Sequence, residues 1–171
     1  MQCLFNRQLS IKGGVLFKIL WFLLLAVACE DSNDPKVVGV QDGDTIEILW
    51  EGETQKVRLE GIDCPEKRQP FGQRAKQFTA DFCYGKHIKL IDTEKIDKYG
   101  RILGTVIVDK KVLNEELLRA GFAWHYVKYS NNEFYAVLEA EARKNGYGLW
   151  ADPNPIPPWE FRKTGTKKNT E

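Results

Sequence analysis

The chain has 171 residues, with 25 Lys and Arg against 24 Asp and Glu, and a formal net charge of +1. Hydrophobic residues make up 43% and charged residues 29%, a mixture that suits one globular domain and excludes a disordered chain, a collagen-like repeat and a multi-span membrane protein. The near-zero net charge also excludes a protein that coats DNA through bulk positive charge. Any nucleic-acid chemistry must therefore come from a local site.

The N-terminal segment has the pattern of a secretory signal. Its first 18 residues carry three cations and no acid, and residues 19–28 are wholly apolar. That run falls far short of the ~20 residues of a membrane span. Cys29 follows at once, and the preceding residues resemble a bacterial lipobox, in which the cysteine becomes the lipid-carrying N-terminus. We predict a signal peptide over 1–28, export, and a membrane anchor at Cys29; the alternative is ordinary secretion with an incidental cysteine.

A linker over 29–35 leads to the predicted domain, residues 36–151. Alternation of apolar and polar residues between turn signals predicts five strands: residues 36–40, 45–50, 56–60, 87–91 and 102–108. Asp-Gly between the first two strands is typical of a tight hairpin turn. Successive hairpins favour an antiparallel meander.

Helical spacing predicts three helices between and after these strands. The first carries the stripe Phe71, Ala75, Phe78 and Phe82; the second runs from a capping Asn114 to Ala120; the third runs from a cap at Asn131 or Asn132 to Lys144, with Phe134, Leu138 and Ala142 buried. Five antiparallel strands with three helices suit a closed barrel of the OB type, a mainly β fold with α.

The last segment, residues 152–171, is predicted to be a proline-rich extension. Residues 153–158 cannot form a helix or an inner strand because prolines dominate them. Trp159 and Phe161 are expected to hold this extension against the domain, and the polar residues 164–171 to form a loose tail.

Acidic residues cluster after two of the predicted strands. Asp42 and Asp44 flank the glycine of the first hairpin turn, and Asp63 and Glu66 follow the third strand. If these strands pair, both turns open at one end of the barrel. Carboxylates, backbone carbonyls and water make an all-oxygen site, for which Ca²⁺ is the natural ion.

Two arginines accompany these acids. Arg58 lies on the polar face of the third strand, and Arg101 lies in the turn that leads into the fifth. An arginine fork matches two oxygens of a phosphate. A cation and two guanidiniums can stabilise the charge of phosphodiester hydrolysis, while a spare carboxylate accepts a proton from water.

Residues from about 36 to 150 closely resemble the staphylococcal nuclease (thermonuclease) family. The resemblance is carried by several separated motifs in the family's order: Val40–Thr45, Val57–Glu66, Asp97–Arg101, Val112–Glu116 and Gly148–Trp150. It implies an SNase-like OB-fold that cuts DNA and RNA by water attack, leaving 5′-hydroxyl and 3′-phosphate ends.

The resemblance also implies roles for individual residues. Asp44 and Asp63 would be calcium-ligand carboxylates, and Cys64 would bind the ion through its backbone carbonyl. Asp42 would support these ligands from behind, Glu66 would be the general base, Arg58 and Arg101 would bind phosphate, and Tyr99 and Tyr129 would lie near the nucleotide. Cys64 stands where the family usually has threonine, which changes little if only its carbonyl binds.

Other interpretations remain open. Taken singly, Asp42 and Asp44 suit a plain turn, and Arg101 suits a structural ion pair. The whole chain could be an inactive OB-type module that binds nucleic acid or protein on the cell envelope, or an envelope-stability lipoprotein with vestigial catalysis; the joint presence of all the acids and arginines favours the enzyme. Cys64 and Cys83 could form a disulfide or stay separate thiols. We expect a monomer without an obligate protein partner.

Overall fold

The computed structural model describes residues 34–167, with side chains up to Lys163. The predicted signal peptide over 1–28, the lipid anchor at Cys29, most of the linker and the last four residues of the tail lie outside the described residues. Among the helices of the described part, none has the length and apolar character needed to cross a membrane.

The described residues form eight strands, five of them in the positions predicted from the sequence. They are β1 (Lys36–Asp42), β2 (Thr45–Trp50), β3 (Glu53–Leu59), β4 (Ile62–Asp63), β5 (Lys89–Ile91), β6 (Ile102–Val108), β7 (Lys111–Val112) and β8 (Trp124–His125). The predicted strands correspond to β1, β2, β3, β5 and β6, and the mainly β fold with α-helices is confirmed.

Five of these strands close into a barrel, in the order β1-β2-β3-β6-β5. The Val37 amide donates to the Lys86 carbonyl at 2.9 Å, and the Gly85 amide donates to the Val37 carbonyl at 3.0 Å, so the chain entering β5 pairs with β1. This closure gives the OB-like architecture.

The prediction that all barrel strands are antiparallel is wrong for one pair. β3 and β6 run parallel, with Arg58 opposite Leu103, while β1/β2, β2/β3 and β5/β6 are antiparallel. A parallel pair needs a long crossover, and the segment between β3 and β6, which holds the first helix and β5, supplies it.

Four α-helices are described rather than the three predicted: α1 (Gly72–Cys83), α2 (Leu113–Arg119), α3 (Glu133–Lys144) and α4 (Pro158–Lys167). The first three confirm the prediction. The fourth corrects the expectation of an extension and loose tail without a helix. Its proline stands at the first helical position, where a missing amide proton costs nothing, and Glu160 lies in the first turn, where it complements the helix dipole.

Two details of the helices also differ from the prediction. Asn114 does not cap α2 but is buried, donating to the Glu60 carbonyl at 2.9 Å and accepting from the Val106 amide at 3.2 Å. Asn132 does cap α3, accepting from the amide of Phe134 at 3.0 Å. Phe134 itself is half exposed, and Tyr135 takes the buried position.

The core consists of two clusters. The larger fills the barrel with the inward-facing residues of the strands and the apolar side of α2, including Val37, Ile46, Ile48, Val57, Leu59, Val106, Leu113, Leu117 and Leu118. The second holds Trp124, Ala142, Leu149 and Trp150, with Phe71 and Trp159 packed against it. Trp159 lies in the first turn of α4, so this cluster confirms that the extension is held against the domain.

Candidate active site

The turn between β1 and β2 places Asp44 at one rim of the barrel. Thr79 of α1 donates its hydroxyl to the Gly43 carbonyl at 2.6 Å, and the Leu59 amide donates to the Asp44 carbonyl at 2.9 Å. A Cβ on Gly43 would lie 2.8 Å from the Cβ of Cys64, closer than real Cβ contacts allow. The turn is therefore fixed on both sides, and glycine is required where it meets Cys64.

Arg58 brings two carboxylates together at this rim. Its Nη2 lies 3.0 Å from Asp44 Oδ2 and 2.9 Å from Asp63 Oδ1. Its Nη1 donates to the carbonyls of Leu59 and Ile62 at 2.7 and 2.9 Å. The Cys64 amide donates to Asp44 Oδ2 at 2.7 Å. Residues some twenty positions apart in the chain thus meet at one buried guanidinium.

The charged side chains at this rim lie close together and shift one another's pKa values. Burial and the neighbouring Asp44 carboxylate raise the pKa of Asp42 to about 6. Burial raises the pKa of Asp63 despite hydrogen bonding to Arg162 and the nearby charge of Arg58. Burial acts to lower the pKa of Arg58, but the Asp44 and Asp63 carboxylates outweigh it and raise that pKa. Carboxylates gathered in low dielectric favour a bound cation.

Glu66 joins the site through a residue that the sequence analysis missed. Arg162 of α4 bridges two acids, with Nη2 at 2.7 Å from Asp63 Oδ2 and Nη1 at 2.5 Å from Glu66 Oε1. Its neighbouring carboxylates raise the pKa of Arg162, although burial acts against this. Four carboxylates, counting Asp42, therefore share this rim with two guanidiniums.

Aromatic packing holds α4 in place beside these acids. The Trp159 ring stacks on Tyr126 with 5.2 Å between centroids and 1° between planes, and it meets Trp124 edge-on at 5.7 Å. Gln69 ties the Glu66 loop to the same segment, accepting from the Glu66 amide at 3.1 Å and donating to the Ile156 carbonyl at 2.5 Å. The C-terminal extension thus forms one wall of the site.

Arg101 lies apart from this cluster of direct contacts. It pairs with Asp97, with Nε and Nη2 at 2.8 and 2.6 Å from Oδ2. Leu103 is the parallel-strand partner of Arg58, and Arg101 lies two residues before Leu103. Arg101 is therefore the residue directly before β6 begins, close in the chain to the strand pairing that holds Arg58.

The two predicted nucleotide-contacting tyrosines are both exposed. Tyr99 is 71% exposed, and the Arg101 guanidinium lies 5.4 Å from the centre of its ring. Tyr129 is 64% exposed and meets Tyr126 edge-on at 4.9 Å. It also lines a cleft of about 310 Å³ with Glu60 and Asp92. Tyr126, through Trp159, is more closely linked to the wall that carries Arg162.

The donor set at the rim fits a hard divalent cation in its chemistry. Asp44 and Asp63 supply carboxylate oxygens that converge on one point, and oxygen ligands are those that Ca²⁺ takes. Within residues 34–167, no three His, Cys, Asp or Glu side chains are grouped closely enough to hold a metal by themselves. The rest of the coordination would come from backbone carbonyls and water.

The two cysteines of the described domain are separate buried thiols rather than a disulfide. Burial raises the pKa of Cys83 to about 12 and that of Cys64 well above its ordinary value. The Cys64 backbone lies at the rim, because its amide donates to Asp44 Oδ2 at 2.7 Å.

Comparison with known proteins agrees with this geometry. The profile of the family described as staphylococcal nuclease homologue matches residues 56–152. A Haemophilus influenzae protein described as an uncharacterized endonuclease is 40% identical over 159 residues, which cover 92% of this chain and 86% of that protein. This chain belongs to the staphylococcal nuclease family.

Two further relatives have similar coverage. A protein of Escherichia coli described as an uncharacterized endonuclease is 39% identical over 86% of this chain and 94% of its own length. The micrococcal nuclease of Shigella flexneri is 37% identical over 75% of this chain and 79% of its own length. Membership of this family supports a nuclease function for the chain.

Arg162 could have been found from a helix-start signal. Pro158 followed two residues later by Glu160 is the pattern of a first helical turn. The contact itself could not have been read from the sequence, since Arg162 lies 99 positions from Asp63.

Proposed function

We propose that this protein is a calcium-dependent nuclease that hydrolyses DNA and RNA and leaves 5′-hydroxyl and 3′-phosphate ends. The observation that carries the proposal is the convergence of Asp44 and Asp63 on the buried Arg58, with Glu66 held at the same rim. Membership of the staphylococcal nuclease family supports the same activity.

Asp44 and Asp63 would hold the calcium ion, with the Cys64 carbonyl and water completing its oxygen shell. When bound, the ion supplies positive charge against the extra negative charge that phosphodiester hydrolysis develops. Asp42 lies behind these ligands and accepts from the Asp44 amide at 3.4 Å, which orients the turn that carries Asp44.

The chain's own side chains supply the remaining chemistry. Glu66 accepts a proton from the attacking water, as a carboxylate near the scissile phosphate can. Arg58 of β3 and Arg101, which directly precedes β6, donate hydrogen bonds to phosphate oxygens whose charge grows in the transition state. Tyr99 and Tyr129 offer exposed rings against which bases can stack.

The direct test is cleavage of an end-labelled DNA or RNA oligonucleotide, with calcium and with a chelator. We expect cleavage with calcium, none with chelator, and products carrying 5′-hydroxyl and 3′-phosphate groups. Glu66→Gln should lower turnover by about 10² or more, because it removes the proton acceptor. Glu53→Gln, the same change at an exposed glutamate where β3 begins, serves as the control.

Two results would contradict the proposal. Cleavage that is unchanged in chelator would remove calcium from the account. Oligonucleotide binding without any cleavage, in fully folded protein, would support the binding module instead of the enzyme.

We also propose a location for this activity, on the basis of the signal-like pattern of residues 1–28 and the lipobox-like residues before Cys29. The proposed nuclease is exported and anchored to a membrane through acyl chains on Cys29, and two buried acyl chains would make that anchoring stable. Palmitate labelling of the expressed protein should be lost in Cys29→Ser, and the unlabelled variant should leave the membrane fraction. Labelling that survives this substitution would contradict the anchor.

A further inference from the structure

Arg162 is the one guanidinium at the site that comes from the C-terminal extension. It contacts one of the two acids assigned to calcium and the acid assigned to proton transfer at once, at 2.7 Å from Asp63 Oδ2 and 2.5 Å from Glu66 Oε1. Its second contact with Asp63, from Nη1 to Oδ1, is 3.4 Å. Both terminal nitrogens of the Arg162 guanidinium therefore contact Asp63, and Nη1 also contacts Glu66.

Glu66 has little other support from the barrel. It lies in the loop between β4 and α1, and its side chain is partly exposed. Its loop is tied to the extension a second time, because Gln69 joins the Glu66 amide to the Ile156 carbonyl. A Cβ on Gly72 would collide with the Glu66 carbonyl, so the start of α1 packs tightly against the backbone of this loop, whereas the Glu66 carboxylate contacts Arg162.

The helix that carries Arg162 is itself fixed. Trp159, three residues earlier and hence on the same side of α4, stacks on Tyr126 and contacts Trp124. Trp124 pairs with Asp63 in the β4/β8 ladder. The aromatic contact and the ion pairs thus fix α4 to the strand that presents Asp63.

We propose that Arg162 is a positioning residue of the nuclease, which holds the Glu66 carboxylate at a set distance from Asp63. An arginine fork suits this role because its planar donors fix two carboxylates in one geometry. This inference rests on the proposed function and assigns to α4 a part in catalysis without contact with the substrate.

The test compares Arg162→Ala with Arg119→Ala in calcium-dependent cleavage of a labelled oligonucleotide. Arg119 is a matched control, an ion-paired arginine of similar exposure (48% against 44%) on α2. Arg162→Ala should lower kcat by about 30- to 100-fold, as expected for misplacement of a catalytic group, and leave KM within about threefold. Arg119→Ala should keep the wild-type kcat.

A double-mutant cycle with Glu66→Gln separates positioning from a general structural effect. If Arg162 acts through Glu66, adding Arg162→Ala to Glu66→Gln should lower kcat further by less than about threefold. Free guanidinium ion at millimolar concentration should restore part of the kcat of Arg162→Ala. Arg162→Lys, which keeps the charge, serves if the alanine variant does not fold and should retain more activity than Arg162→Met.

Three results would overturn the inference while the wild-type enzyme and Glu66→Gln behave as proposed. They are an unchanged kcat in Arg162→Ala, losses that multiply in the double mutant, and a rise in KM alone, which would make Arg162 a ligand of the substrate. Failure of the wild-type chain to cleave in calcium would instead contradict the proposed function itself.

Discussion

Arg58 and Arg101 have the same predicted task but very different surroundings. Arg58 is 13% exposed, bonded to two carboxylates and two backbone carbonyls. Arg101 lies in a turn, 26% exposed, and is paired with Asp97. A buried guanidinium supports the fold as well as the chemistry, whereas one at a turn can serve the substrate at little cost to stability. Their variants should therefore separate the two contributions.

The largest effect is expected for Arg58→Ala. It leaves Asp44 and Asp63 buried without their counter-charge, and breaking a buried ion pair in this way costs about 3–5 kcal/mol. Urea unfolding should show a loss of that size along with the loss of cleavage. A loss of less than about 1 kcal/mol in the free energy of unfolding is what an exposed ion pair would give. That result would contradict the claim that Arg58 supports the fold.

Arg101→Ala should separate activity from stability. We expect turnover to fall by about 10²-fold or more, since a preorganised charge on the transition state is lost. The free energy of unfolding measured in urea should change by no more than about 1 kcal/mol, because the Arg101–Asp97 pair is partly exposed. Wild-type turnover in a folded Arg101→Ala protein would make Arg101 the structural ion-pair partner of Asp97 and nothing more.

Asp44→Asn addresses the calcium site on the Arg58 side. Removing one of two converging carboxylates should raise the calcium concentration for half-maximal cleavage by about tenfold, since calcium affinity follows ligand charge. The activation curve measures this directly. Asp97→Asn is the matched control on the Arg101 side and should leave the calcium midpoint unchanged; equal shifts in both variants would remove the distinction between the two regions.

The smallest effect concerns Asp97 itself. Burial acts to raise its pKa, but hydrogen bonds from Arg101 and Tyr99 hold the pKa of Asp97 below 3.8. A lowered pKa means that this carboxylate stabilises the fold above its ordinary pKa and stops doing so as pH falls through the folded value. The difference in unfolding free energy between wild type and Asp97→Asn should therefore stay constant well above pH 3.8 and shrink as the pH falls below it. A difference that does not shrink below pH 3.8 would contradict this.

Local patterns predicted most of the barrel and part of the site. Alternation and the Asp-Gly turn predicted β1 and β2 because a one-residue slip would turn their buried side chains outward. The convergence of Asp44, Arg58 and Asp63 followed from the two turns at one rim. The parallel pairing of β3 with β6 was not predictable, since strand direction depends on how the crossover packs.

The features missed by sequence reasoning depend on distant contacts. Asn114 looks like a helix cap locally, yet it bonds to Glu60 across 54 positions. Arg162 lies in a segment read as an extension and tail, and its partners lie almost a hundred positions earlier. The catalytic, metal-binding and substrate-binding roles of all the predicted site residues stay predictions.

The central claim is that Asp44 and Asp63 bind one calcium ion at the rim of the barrel. A calcium titration of the ¹⁵N-labelled protein, followed by amide chemical shifts, tests it through the Cys64 amide, which donates to Asp44. We predict a saturable shift of this signal by about 10 mM calcium, above the weak end of extracellular sites, and a midpoint about tenfold higher in Asp63→Asn. No saturable shift in the wild-type protein, or the same midpoint in Asp63→Asn, would contradict the account.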